Sequence, residues 1–247
     1  AVGYQTMMVG KWHVGGSLMK DNPGIHAWWK KTHPGWELTK AEIDAEFNAL
    51  PPQRGFDHFF GMVEGEAPFF FLPGDPQNYL SGNKPAVLSF NKTYTIVSYK
   101  LGDSGKQFTR QGKTTEAFYD TDGVTDQAIE MLRQANKDSP FFMYVAYRAP
   151  HAPLQAPKNV VDKYRPRYAD LKKVEADRVA GLIREELFPK DAAHRETHNF
   201  PDPTALAIHA AMMEKIDENV GRIINTLKTL GQLDNTLIFY LSDNGAS

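Results

Sequence analysis

GYQTMMVGKWHVG, residues Gly3 to Gly15, carries the first decision about the fold, because a short apolar run ends there in a lysine and a histidine two residues apart. Thr6 to Val9 lies between Gly3 and Gly10 and has the length and composition of a buried strand. In an extended chain residues i and i+2 project together, so Lys11 and His13 are expected on one face if the strand geometry continues past Gly10. A fixed cation beside a titratable imidazole suits an anionic group with an oxygen to protonate or deprotonate. The plainer alternative is a strand end with two solvated polar residues.

Two further apolar runs extend the pattern. Thr121 or Asp122 can cap a helix in which Val124, Ala128, Leu132 and Ala135 fall at helical spacing, and Asp138-Ser139-Pro140 ends it. The continuous apolar run Phe141 to Tyr147 follows directly, and a strand-length run after a helix reads as a buried parallel strand. Later, Asp202 and Pro203 open a longer helix with Met213, Ile216, Val220, Ile223, Leu227 and Leu230 on one stripe, and Gly231 stops it. Thr236 to Leu241 then reads as another buried strand, and Asp57 to Met62 as an earlier one. Strand, crossover with helices and strand again predict an α/β fold around a largely parallel central sheet flanked by helices.

The connecting segments carry weaker signals. Ser17 to Pro52 holds Trp28, Trp29 and Trp36 beside Lys30 and Lys31 and reads as a loop, with one short helix expected at Lys40 to Ala49. Residues 64–115 form an excursion in which the β-branched run Thr93 to Tyr99 and Gly102-Asp103-Ser104-Gly105 suggest a hairpin. Asn91-Lys92-Thr93 fits an N-glycosylation acceptor. A second excursion, 170–201, begins with an exposed helix at Asp170 to Glu186 and continues as a loop carrying His194 and His198, for which solvation is the default reading.

Composition narrows the function classes. At 247 residues, with 41% hydrophobic and 12% aromatic content, the chain can bury a substantial core and fits one large domain or part of one. A net charge of -2 gives no electrostatic case for nucleic acid or an anionic membrane, so the lysines near the tryptophans read as a surface loop rather than a base-stacking platform. Cysteine is absent, which excludes disulfides, thiolate metal sites and a cysteine nucleophile within these residues. No apolar run is long enough to span a bilayer, and no secretory signal pattern opens the chain. Both termini read as cuts within elements, so a fragment is expected and localisation is left open.

The chemistry-bearing residues fall into three clusters: Lys11 with His13, His151 in Pro150-His151-Ala152-Pro153, and Asp243 with Asn244. Each follows an expected core strand at its C-terminal end, the edge where ligands bind in open α/β sheets. Asp243 and Asn244 offer oxygen ligands of the type calcium or magnesium takes, although Ser-Asp-Asn-Gly is also ordinary turn chemistry. His151 can act as acid or base near neutral pH, or serve a structural role.

GYxTxxxGKWHxG resembles a signature of the type I sulfatases, members of the alkaline-phosphatase-like superfamily. RGFDHFFG (Arg54 to Gly61), YDTDGVTDQAI (Tyr119 to Ile129), PFFMYVAYRAPHAPLQAP (Pro140 to Pro157) and LDNTLIFYLSDNGAS (Leu233 to Ser247) resemble further family segments in the family's order. The resemblance implies residues 1–247 as one partial catalytic domain of a sulfuric ester hydrolase acting on a small-molecule or saccharide sulfate ester. It also implies that Lys11 binds the sulfate and the nucleophile, that His13 assists sulfate release, and that His151 protonates the leaving oxygen. Asp243 and Asn244 would share one calcium ion with two aspartates outside these residues. The family's nucleophile is a formylglycine made from Cys or Ser in a C/S-x-P-x-R segment, and no residue here has that context. It is therefore expected upstream, and an exported enzyme is the family's usual case. Two alternatives stay open: a phosphomonoesterase or phosphodiesterase of the same superfamily, and a non-catalytic sulfatase-like binding protein.

Overall fold

The computed structural model describes residues 3–14, 35, 39, 41, 45, 48–63, 67–75, 79–99, 112, 114–189 and 202–243. The opening run forms β1 (Gln5–Lys11), with its middle fully buried on both faces. Val9 packs into one cluster with Phe60 and Val124, while Met8 packs into another with Leu50, Phe59 and Leu80. A strand buried on both sides needs an unbroken apolar run, and Met7-Met8-Val9 supplies it.

On either side β1 pairs in parallel, with β2 (His58–Met62) and with β8 (Phe141–Ala146). Beyond β2 the sheet turns antiparallel through β4 (Tyr79–Ser81) and β5 (Lys84–Pro85), giving the order β5-β4-β2-β1-β8. The expected largely parallel sheet is thus corrected to a mixed one with a parallel β2-β1-β8 core. The chain between β2 and β4 passes through β3 (Phe70–Phe71), which pairs in the other sheet, before it returns antiparallel to β2.

The first excursion is more than a hairpin. β3 (Phe70–Phe71), β6 (Lys92–Ser98), β7 (Thr114–Tyr119) and β9 (Gln155–Pro157) make a second, wholly antiparallel sheet in the order β3-β7-β6-β9. β6 and β7 are the hairpin arms read from the β-branched run, and the residues between them are mostly outside those described. β9 follows the His151 segment, so this second sheet and the parallel core are joined at that segment.

Helix α1 (Asp120–Gln134) begins one or two residues before the expected cap, directly after β7, and its first turn is buried. Val124, Ala128 and Leu132 form its inward stripe as the spacing predicts. α2 (Lys158–Tyr164) and the exposed α3 (Leu171–Arg184), capped by Asp170 accepting from the Lys173 amide at 3.1 Å, come next. α4 (Pro203–Thr229) is capped as predicted, with Asp202 accepting from the Thr204 amide at 2.6 Å, and Gly231 ends it at φ 69°.

The stripe read from large apolar residues holds at Ile216, Val220, Ile223 and Leu227, which are buried or packed on the core, but not at Met213, and alanines extend it. Ala207, Ile208, Ala211, Met212 and Ile216 face the antiparallel sheet, whereas Met213 is exposed. Small alanines at the contact let helix and sheet approach closely, and periodicity counted on bulky residues overlooks them. Lys215 and Asn219 are also buried on α4, where they engage Asp122 at 2.9 and 2.8 Å.

Two expected strands need correction. β8 forms and pairs in parallel as expected, but among the described residues it lies at the edge of the sheet rather than buried, with Phe142 54% and Tyr144 44% exposed. Thr236 to Leu241 forms no strand, and Leu237, Phe239, Tyr240 and Leu241 are each at least 69% exposed. The Lys40–Ala49 helix and the loop with His194 and His198 lie largely or wholly outside the described residues. No helix among the described residues is long and apolar enough to cross a membrane.

Candidate active site

The site is built at the C-terminal ends of β1 and β8. Their parallel register sets Gly10 opposite Ala146, and Gly10 on its other side opposite Gly61 of β2. A Cβ on Gly10 would lie 2.0 Å from the Ala146 carbonyl oxygen, and one on Gly61 would lie 1.9 Å from the Gly10 oxygen. Gly10 also has φ 103°, which a side chain would strain. Three strands therefore close up immediately before Lys11, and only glycine permits it at Gly10. In sequence Gly10 marks only a strand boundary; the one signal of this role is its place beside a lysine at a strand end.

Past this constriction β1 ends at Lys11, which is half-buried. Trp12 anchors the exit: its amide donates to the Met62 carbonyl at 2.9 Å, its indole donates to the Ala49 carbonyl at 2.8 Å, and its ring meets Phe56 edge-on at 6.3 Å. His13 follows in the left-handed region at φ 39° and is exposed. Lys11 and His13 therefore do not share a strand face as expected, because the strand stops two residues before His13. Trp12 between them fixes the path of the chain as it leaves β1.

The exit from β8 is pinned on both sides. Tyr147 shares a 2.6 Å hydrogen bond with Thr125 of α1, and burial pushes its phenol up to about 12. Arg148 reaches the other way, into Ala67–Phe69. A turn then closes from the His151 amide to the Arg148 carbonyl at 3.0 Å, leaving the His151 side chain exposed. The His151 Nδ1 lies 2.6 Å from the Ala152 carbonyl oxygen. A carbonyl only accepts, so this contact is a hydrogen bond in the tautomer that carries its proton on Nδ1, with Nε2 the other ring nitrogen.

Lys11 and His151 are thus brought to one edge by adjacent parallel strands. The third cluster is not: Asp243 is exposed after the unpaired 236–241 run, and Asn244 lies outside the described residues. Among the described residues no group of three or more His, Cys, Asp or Glu stands together to hold a metal ion. One described carboxylate falls far short of the roughly six to eight oxygens calcium takes, so the described residues do not by themselves make a calcium site. A concavity of about 870 Å³ lies elsewhere, between β6, β9, α2 and α4, where Lys163, Glu214, Lys215 and Glu218 neutralise one another.

Two buried carboxyls, Asp120 and Asp122, sit at the start of α1 and are shifted in opposite directions. Burial pushes Asp120 up from its ordinary value, against the opposing pull of Arg148. Burial acts the same way on Asp122, but the Lys215 cation and hydrogen bonds from Asn219, Lys215 and Tyr94 outweigh it and hold this carboxyl below its usual range.

Comparison with known proteins agrees on the family. An uncharacterized sulfatase of Schizosaccharomyces pombe is 31% identical over 99% of this chain and 39% of its own length. The arylsulfatase of Klebsiella aerogenes is 25% identical over 99% of this chain and 45% of its own length. A solved structure, Ps i-CgsB with k-i-k-neocarrahexaose, aligns over 94% of this chain and 35% of that one at 20% identity and a TM-score of 0.46. The chain thus spans under half the length of the curated relatives named here. The Sulfatase family model matches residues 1–247 from end to end, and the chain belongs to that family.

Proposed function

We propose that the full-length protein hydrolyses sulfate monoesters, with Lys11 holding the sulfate, His13 assisting its release and His151 protonating the departing oxygen. The observation that carries this reading is the parallel β1–β8 pairing, which delivers a fixed cation and a titratable imidazole to one sheet edge. The His151 tautomer fits the role. In the imidazolium both nitrogens are protonated; Nε2 gives its proton to the leaving oxygen, and the remaining Nδ1 proton is held by the Ala152 carbonyl. Membership of the sulfatase family and the similarity to an arylsulfatase make aryl sulfates the first substrates to try.

General acid catalysis is worth about 10²- to 10⁴-fold, and its value grows with the basicity of the leaving group. In the full-length protein His151→Ala is expected to slow an alkyl sulfate by that range and a nitrophenyl sulfate far less. Equal losses across leaving groups of graded pKa, with the variant folded, would remove the acid role. The 247 residues alone contain no serine or cysteine in the C/S-x-P-x-R context, and they are expected not to turn over an aryl sulfate. Calcium at Asp243 and Asn244 remains part of the proposal on resemblance alone. A divalent-ion content unchanged by Asp243→Ala, measured by elemental analysis, would remove it.

A further inference from the structure

The mechanism above uses His151 but neither of the two buried polar side chains that flank it. Arg148, three residues before, is 5% exposed, and Gln155, four residues after, is fully buried. Both end on one tripeptide of the loop before β3. The Arg148 guanidinium donates through Nη1 to the Ala67 carbonyl and through Nη2 to the Pro68 carbonyl at 2.9 Å, and it lies 3.8 Å over the Phe69 ring. The Gln155 amide oxygen accepts from the Phe69 backbone N–H at 2.7 Å, and its nitrogen donates to Ser98 Oγ at 2.9 Å. The tripeptide is itself held, since the Asp120 amide donates to the Phe69 carbonyl at 2.8 Å. Asp120 also stands 3.7 Å from the guanidinium and accepts from the Tyr79 hydroxyl.

Core packing alone does not call for this. Burying a guanidinium is costly, and an apolar side chain of similar volume usually serves a core as well or better. What the planar five-donor fork supplies is a fixed geometry between two carbonyls and the residue that bears it, which a flexible ammonium cannot reproduce. The residue so fixed is the acceptor that closes the His151 turn.

We propose that Arg148 and Gln155 are positioning residues that clamp both ends of the His151 segment to Ala67–Phe69, and so set the tautomer and aim of the imidazole. The role in turnover rests on the reading of His151 as the acid; the clamp itself does not. A misplacement of about 1 Å in a reacting group costs on the order of 10²-fold in rate, which sets the size of the expected effect.

The test uses the full-length protein with ¹⁵N-labelled histidine rings, His151 being assigned by its loss in His151→Gln. In the wild type the neutral His151 ring is expected as the Nδ1–H form. Arg148→Met and Gln155→Met are expected to release it toward the Nε2–H form that predominates in free histidine. Arg148→Lys keeps a charge beside Asp120 and is expected to recover thermal stability without recovering the Nδ1–H form. Gln155→Met removes no charge, so it decides the matter if Arg148→Met does not fold. Variants that fold and keep the wild-type tautomer would overturn the proposal, as would a lysine that restores tautomer and stability together.

Kinetics separate the two readings. Arg148→Met and Gln155→Met should each lower kcat by about 10²-fold for an alkyl sulfate, with little change for a nitrophenyl sulfate and little change in KM. A uniform loss across leaving groups in these variants, while His151→Ala stays selective, would overturn the clamp's part in turnover. Loss of selectivity in His151→Ala itself would overturn the acid assignment, and the tautomer measurement would still decide the clamp.

Discussion

Phe141–Ala146 and Thr236–Leu241 are nearly the same signal in sequence: a six-residue apolar run after a helix, with a polar motif just beyond. In the structure the first is β8, hydrogen-bonded along its length to β1. The second pairs with nothing among the described residues and shows most of its large side chains to solvent. The difference lies outside both runs. β1 has a free edge of matching length, opened by Gly10, whose missing side chain lets the Ala146 carbonyl approach. An apolar run states that a strand would be stable if paired; only the pairing makes it one. The same contrast separates the candidate residues, since His151 inherits a fixed position from β8 and Asp243 inherits none from a strand.

The largest expected effect comes from closing that edge. Gly10→Ala places a Cβ against the Ala146 carbonyl at a backbone angle that alanine rarely adopts, and neither backbone can give way without breaking the sheet. A loss of about 4 kcal/mol or more is expected in urea unfolding of the full-length protein, at the exceptional end of single substitutions. A midpoint near that of the wild type would show that β1 and β8 do not close up as described.

Next in size is the anchor of α4, the helix that delivers the second run. Lys215→Ala leaves the Asp122 carboxylate buried without its cation, a change that typically costs about 3–5 kcal/mol. The same pair predicts a pH dependence. Asp122 is held below its usual range, so its contribution to stability is complete above the unfolded carboxyl value of about 4 and is lost as pH falls through the lower folded value. Asp120, pushed up by burial, works in the opposite sense, because protonation relieves it. The difference between wild type and Asp122→Asn isolates the first effect. That difference should shrink as the pH is lowered below about 4, and a constant gap in unfolding free energy from pH 7 to 3 would refute the coupling.

The smallest effect is expected at the run that found no partner. Phe239→Lys in the 247-residue chain should change stability by no more than about 0.5 kcal/mol, as for other exposed positions, while reducing self-association seen by light scattering. A loss above about 1 kcal/mol would mean that the run is packed in solution.

The sequence by itself determined the elements whose signals are local. Met7-Met8-Val9 is apolar enough for burial on both faces, Asp202 and Pro203 supply a helix cap and first-turn proline, and Gly231 can end the helix. It also determined the order of motifs, and with it the family and the three residues proposed to act. Tertiary structure decided what depends on neighbours: that the sheet is mixed, that α4 turns its alanines rather than Met213 inward, and that Thr236–Leu241 pairs with no strand among the described residues. It also decided that Arg148 and Gln155, unremarkable in sequence, meet on one tripeptide some 80 residues away. Local propensity is written in a few adjacent side chains, whereas pairing and burial are settled by which distant segments share an edge or a face.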